Sequence, residues 1–244
     1  MKKLIILPSY NEKDNIILLI QDIININKNY FVCVVDDNSP DGTLHEIKNF
    51  LKELDFEDQK RIHLIVREQK DGRGSAVRVG IEWGLQSNNN FGSFVEMDCD
   101  FSHSPSDIEK GLKLLKEADV VIGSRYPNGK IIGWSMNRKV VSYLSNILIR
   151  ALLSWNVYDY TNGFRFYSRR AAEIMCQIPQ RHKGYIYLSE TLAILMKNLL
   201  VIESFPITFI NRRKGKSNTN MKEVLSSING IFSISWRYWF VHQD

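Results

Sequence analysis

The chain has few of the features that would place it outside the ordinary intracellular enzymes. Only three cysteines occur in 244 residues, Cys33, Cys99 and Cys176, and none is in a C-x-x-C pair. A disulfide framework and a thiolate zinc site are both excluded, and the thiols read as reduced, small hydrophobes. No window reaches 18 uninterrupted apolar residues, so a membrane-spanning helix is not expected. The first apolar run, Leu4 to Leu7, stops at Pro8 and is too short for a signal-peptide core. Basic residues outnumber acidic ones, 32 to 27, but they are scattered and form no tract, which argues against nucleic acid as a partner. A dinucleotide-binding G-x-G-x-x-G fails as well: after Gly72 and Gly74 the third glycine would fall at 77, which is Val77. Those two glycines are expected to allow a ligand's close approach or a tight turn.

What is present suits one large α/β domain. Hydrophobic residues make up 44% of the chain and charged ones 24%, enough for a substantial core. Short apolar runs at 4–7, 31–35, 61–66, 91–97 and 118–122 alternate with helical spacing at 15–26, 43–54, 76–86 and 105–117. That rhythm predicts βαβ units and a mostly parallel sheet flanked by helices, with ligands bound beyond the carboxyl ends of the strands. Several expected strand exits carry polar groups there: Asp36 and Asp37, Asp98 and Asp100, and Arg125. In extended backbone, side chains at i and i+2 share a face, so Asp98 and Asp100 are expected to point together. Two such carboxylates suit Mg²⁺ or Mn²⁺, although a bare Asp-x-Asp more often marks a solvated turn. His103 beside them is read as a structural hydrogen-bonding group in preference to a ligand or base.

Further along, residues 128–135 read as a mobile loop, and 139–155 as a long helix whose apolar stripe is assigned to the core in preference to lipid contact. Helices are expected at 170–176 and 184–198, the latter carrying Glu190 either as a substrate-orienting group or as a surface acid. An edge strand interrupted by Pro206 is expected over 200–209. The tail, 222–241, has apolar residues at 225, 228, 232, 236 and 239, one face of an amphipathic helix that docks on its own domain or on a membrane surface.

Five blocks in order carry a resemblance: Pro8-x-Tyr10-Asn11-Glu12, Val35-Asp36-Asp37 through Thr43, Met97-Asp98-x-Asp100-x-Ser102-His103, Gly123-Ser124-Arg125-Tyr126, and Asp159-x-Thr161-x-Gly163-Phe164-Arg165. Together they resemble the dolichol-phosphate (polyprenyl-phosphate) mannose synthases, inverting glycosyltransferases of family 2 with the GT-A fold. The likeness runs from about residue 4 to 217, leaving 218–244 as a C-terminal helical tail. It implies transfer of mannose from GDP-mannose to a dolichyl or polyprenyl phosphate with Mg²⁺ or Mn²⁺. By position, Pro8, Tyr10, Glu12, Val35 and Asp37 would contact the nucleotide. Asp98, Cys99 and Asp100 would flank the diphosphate, with the two aspartates on the metal. Arg125 and Arg212 would hold donor phosphates or sugar, and Arg138 would meet the acceptor phosphate. The resemblance further implies a peripheral place on the cytosolic face of a membrane, that of the endoplasmic reticulum in a eukaryote, and a possible small membrane subunit. Asn218 and Leu188 stand where the family usually has Lys and Gln, and Cys99 where it often has Ala. Asn218 keeps open another donor such as UDP-glucose, with a lipid-phosphate or surface-polysaccharide acceptor. A non-catalytic nucleotide-sugar-binding subunit is the remaining alternative.

Overall fold

The computed structural model describes residues 1–211 and the helical backbone of 221–240, with side chains in that last helix from 230 onward. Its first half alternates strictly: β1 (Lys3–Ser9), α1 (Ile16–Ile26), β2 (Tyr30–Asp36), α2 (Thr43–Glu53), a single turn α3 (Phe56–Gln59), β3 (Ile62–Val66), α4 (Arg73–Gln86) and β4 (Ser93–Glu96). A 3-10 turn at Pro105–Asp107 then leads into α5 (Ile108–Leu114), β5 (Val120–Ser124), β6 (Lys130–Ile132) and α6 (Met136–Leu152). The remainder is β7 (Arg165–Ser168), α7 (Arg169–Gln177), α8 (Tyr187–Lys197), β8 (Ile202–Pro206), β9 (Thr208–Ile210) and α9 (Met221–Phe240).

Seven strands form one sheet in the order β3-β2-β1-β4-β7-β5-β8, and β6 and β9 make a separate pair. Within the large sheet β7 runs against both its neighbours, β4 and β5, and every other pairing is parallel. The inner strands β1 and β2 are apolar on both faces because helices cover both faces. One layer packs α1, α2 and α5 through Ile20, Ile23, Ile47 and Ile108; the other packs α4, α7 and α8 through Val77, Ile81, Ala171 and Leu192. Each fully buried isoleucine or leucine of this kind contributes about 1.5–3 kcal/mol. Helix α4 lies unusually close to β1, because a Cβ on Gly80 would stand 2.7 Å from Ile6 Cγ2 and one on Gly84 would overlap Leu4.

Several expectations need correction. Residues 128–135 are not simply a loop, since β6 pairs in parallel with β9. The run at 200–209 is two strands: β8 closes the edge of the large sheet at Pro206, and β9 leaves to join β6. Strand β7 was not expected at all; its four residues include a buried arginine, Arg165. The apolar stripe of α6 is largely not core, because Val140, Val141 and Leu144 are exposed and only Asn146 and Ile149 are buried. Helix α9 docks with Ile231 and Ile234, whereas Phe232, Trp236 and Trp239 of the expected face look outward. Among the described residues no helix is long and apolar enough to cross a membrane.

Candidate active site

The strand meant to carry the acid pair ends one residue before Met97, so Asp98 and Asp100 belong to the turn after β4 and not to extended backbone. They still line the same cleft. Local hydrogen bonds set the turn. Asp100 Oδ1 accepts from the Ser102 amide at 3.1 Å, and the Asp98 amide donates to His103 Nδ1 at 3.2 Å. Since Nδ1 accepts, His103 carries its proton on Nε2, which reaches Asn162 Oδ1 at 3.0 Å. The ring is buried and stacked on Phe164, which gives it the structural part expected of it.

Arg125 follows β5 and is buried against Asp159. Its amide and Nε reach Asp159 Oδ2 at 3.0 and 2.8 Å, and Nη2 reaches Oδ1 at 2.8 Å and Thr161 Oγ1 at 2.6 Å. Burial alone would raise the Asp159 pKa; the guanidinium and the hydrogen bonds outweigh it and hold the carboxyl below its usual range. Trp134 lies between two guanidiniums, with Arg138 at 4.0 Å from the ring centre and Arg125 at 5.4 Å. Arg73, which sequence reasoning did not single out, donates from Nε to Asp98 Oδ1 at 2.8 Å.

These groups form one end of a cleft of about 870 Å³ lined by Arg73, Asp98, Asp100, Arg125 and Arg138. The cleft continues along α6 and α8 over Val141, Leu144, Leu148, Ile149, Ile186 and Leu188, and reaches Ile231 of α9. One opening therefore joins a charged floor to a groove with apolar walls, whose lining also includes Arg181, His182 and Lys183. The exposed side chains of α6 have their explanation here: Val141, Leu144 and Leu148 form a wall of the groove.

The nucleotide-contact residues expected from the resemblance lie on the other flank, at the ends of β1 and β2, where Pro8 and Val35 are register partners. They do not line the cleft. Cys99 links the two regions, its thiol donating to Pro8 O at 3.3 Å. Burial pushes that thiol well up, and the nearby Glu12, Asp98 and Asp100 charges push it further, a measure of the negative potential here. The Val35 side chain is fully buried beside α4, so Val35 presents only its backbone at this strand end. Asp36 is also buried and accepts from the Ser39 amide and hydroxyl, so Asp36 and Asp37 are not a second cation pair. Asp37 accepts from Arg67 Nε at 2.5 Å and from the Asp71 amide. Tyr10 carries Lys70 over its ring at 4.0 Å, and the Glu12 amide donates to Thr43 Oγ1 at 3.1 Å. Arg212 and Asn218 lie outside the described residues.

The two glycines after β3 admit protein and not an open ligand site. Gly72 has φ of 88°, a Cβ there would stand 2.5 Å from Lys183 O, and the Gly74 amide donates to that same oxygen. Glu190 is not a surface acid, and it does not line the cleft. It is buried in α8, accepts from the amides of Arg181 and His182, and lies 3.1 Å from His182 Nδ1, bracing the 178–186 segment that borders the cleft.

Among the described residues no three His, Cys, Asp or Glu groups converge on one point. Two hard carboxylates on a cleft floor still fit Mg²⁺ or Mn²⁺, which keep several waters and complete their shell with substrate oxygens instead of a protein cage. Zinc or a redox metal would call for imidazole or thiolate, and here the one histidine beside the pair is engaged and the one thiol is protonated.

Comparison with known proteins agrees with this geometry. Residues 4–175 match the model of glycosyl transferase family 2. The polyprenol monophosphomannose synthase of Mycolicibacterium smegmatis is 33% identical over 232 residues, covering 93% of this chain and 85% of that protein. The undecaprenyl-phosphate mannosyltransferase of Micrococcus luteus is 34% identical over 221 residues, covering 89% and 87%. Glucosyl-3-phosphoglycerate synthase of Mycobacterium tuberculosis, solved with Mn²⁺, UDP and its product, superposes with a TM-score of 0.69 over 100% of this chain and 81% of that one at 18% identity, a likeness of fold. The seven-stranded sheet, the acid turn at its carboxyl edge and these relatives together make the chain an enzyme of glycosyl transferase family 2 with a GT-A-like fold, similar to the polyprenyl-phosphate mannose synthases.

Proposed function

We propose that this enzyme transfers mannose from GDP-mannose to a polyprenyl phosphate with inversion at the anomeric carbon, working as a peripheral protein on a membrane surface. The observation that carries the reading is the continuity of the cleft: carboxylates and arginines at one end, and an apolar groove leading away along α6. A lipid phosphate has this same division, an anionic head on a hydrocarbon chain. The relatives from M. smegmatis and M. luteus are named for polyprenol and undecaprenyl-phosphate mannosyl transfer, which supports the same substrate class.

Each residue has a part in that chemistry. Cleaving the sugar C1–O bond leaves negative charge on the departing diphosphate. Asp98 and Asp100 would hold a divalent ion that neutralises this charge as it develops. Arg138, stacked on Trp134 in the cleft lining, would meet the acceptor phosphate. Arg125 is anchored by Asp159, so it contributes a fixed positive edge to the cleft and not a mobile clamp. A phosphate monoester with a second pKa near 6 is already anionic at pH 7, so the acceptor needs no general base. Backside attack by that oxygen as the diphosphate leaves inverts the anomeric centre.

The test is direct: protein, Mn²⁺, radiolabelled GDP-mannose and a polyprenyl phosphate, with lipid-linked mannose extracted and counted. Asp98→Asn should lose at least a hundredfold in turnover, about 3 kcal/mol of transition-state stabilisation. Full turnover in that variant would refute the cation role. A second reading keeps the fold and changes the donor, and the UDP-binding structural relative favours including it. Thermal shift with GDP, GDP-mannose, UDP and UDP-glucose separates the two, and stabilisation by the uridine ligands alone would reassign the donor.

A further inference from the structure

The metal-facing aspartate is not left to a turn to orient. We propose that Arg73, fixed by Glu96 and Tyr187, is a positioning residue that presents Asp98 to the divalent cation; the inference rests on the reading of Asp98 as a cation ligand.

Arg73 is the first residue of α4 and only 10% of its side chain is exposed. Both Nε and Nη2 lie 2.8 Å from Asp98 Oδ1. Nη2 also donates to Gly163 O at 3.1 Å, and Nη1 contacts Glu96 Oε1 and the Tyr187 hydroxyl. The guanidinium is therefore held on every edge. Glu96 is fully buried at the end of β4, and its second oxygen accepts from Tyr167 of β7 at 3.0 Å. The elements that meet here are the start of α4, the ends of β4 and β7, and the first turn of α8.

Charge balance separates positioning from mere neutralisation. Glu96 alone matches the charge of Arg73, so the contact with Asp98 is additional to what burial requires. Asp98 is the most exposed of the acids contacting Arg73, with 27% of its side chain accessible against none for Glu96. Without a fixed partner its carboxylate would sample several rotamers, whereas a cation site requires its ligands held within about 0.5 Å. Partners that orient a ligand from behind typically change metal affinity by about 10–100-fold.

The experiment is a Mn²⁺ titration followed by electron paramagnetic resonance with GDP present, on four proteins: wild type, Asp98→Asn, the double variant R73L/E96Q, and Arg73→Lys. The double variant removes one positive and one negative charge, so the formal charge of the cleft is unchanged while the hold on Asp98 is lost together with the Arg73 contacts to Gly163 O and Tyr187. Its Mn²⁺ dissociation constant should rise about tenfold, while its unfolding midpoint stays near that of wild type. Arg73→Lys keeps the charge, leaves Glu96 paired and cannot span both acids, so it should weaken Mn²⁺ several-fold even if the double variant does not fold. Wild-type affinity in either folded variant, beside a clear loss in Asp98→Asn, would overturn the positioning role alone. Wild-type affinity in Asp98→Asn would overturn the cation assignment itself and the inference with it.

Discussion

At the scale of single residues, the Arg125–Asp159 pair shows how a buried charge can be tolerated. Both side chains are almost wholly removed from water, and each is satisfied by several geometrically sound hydrogen bonds. Breaking such a pair from one side costs about 3–5 kcal/mol, because the stranded charge remains buried. Asp159→Asn is therefore expected to lower unfolding stability by that order in a urea titration, and a change under 1 kcal/mol would mean the guanidinium finds another partner. The pH dependence has a definite sign. The folded pKa of Asp159 is held below its unfolded value, so its contribution is fully present above about pH 4. It is lost as pH falls through the lower folded value. Stability of wild type should decline more steeply than that of Asp159→Asn in that acid window, where Asp41 and Asp71, also held low, contribute to both, and a set of unfolding midpoints from pH 6 downward would detect the difference.

At the scale of elements, two helices have different tolerances. α4 is pressed against β1 through Gly80 and Gly84, and Gly84→Ala would drive a methyl group into Leu4 and Phe94. Overpacking of this sort costs about 1–3 kcal/mol, so the variant should unfold at measurably lower urea. α6 instead lends its apolar side chains to a groove. Leu148→Gln should raise KM for a long polyprenyl phosphate several-fold while a short-chain acceptor is affected little, as acceptor chain-length series would reveal. Equal effects on both acceptors would take the hydrocarbon out of that groove. The periodicity of α6 was legible in the sequence, but its destination was not. A stripe facing a cleft and a stripe facing the core have the same spacing, and only the placement of α8 and α9 tells them apart.

The whole molecule shows the same division between local and distant information. The parallel sheet could be read because βαβ units repeat over short stretches of chain. The acid pair could be read because Asp98 and Asp100 are neighbours in sequence. Strands β6 and β7 escaped, and β9 was merged with β8, because each is three or four residues long and exists through partners far along the chain. The Arg73–Glu96 pair escaped for the same reason: 23 residues separate the two, and nothing local marks Arg73 as the partner of Glu96 and Asp98. The amphipathic tail was visible, although its docked side was not, since Ile231, Ile234 and Tyr238, which meet the domain, are interspersed with the outward Phe232, Trp236 and Phe240. Those outward aromatics give a prediction for the assembled enzyme. Trp236→Ala combined with Phe240→Ala should reduce flotation with anionic liposomes while leaving the unfolding midpoint unchanged. Undiminished flotation would transfer membrane contact to another surface.

Ile231 borders the cleft from a helix that also bears Trp236 and Phe240 on its far side. Anchor and enclosure are thus two sides of one rod. Shortening the polypeptide to residue 217 would strip a panel from the acceptor channel along with any grip on a bilayer. A drop in turnover after such a deletion could not be assigned to lost anchoring until water-soluble, short-tailed acceptors had been assayed beside it.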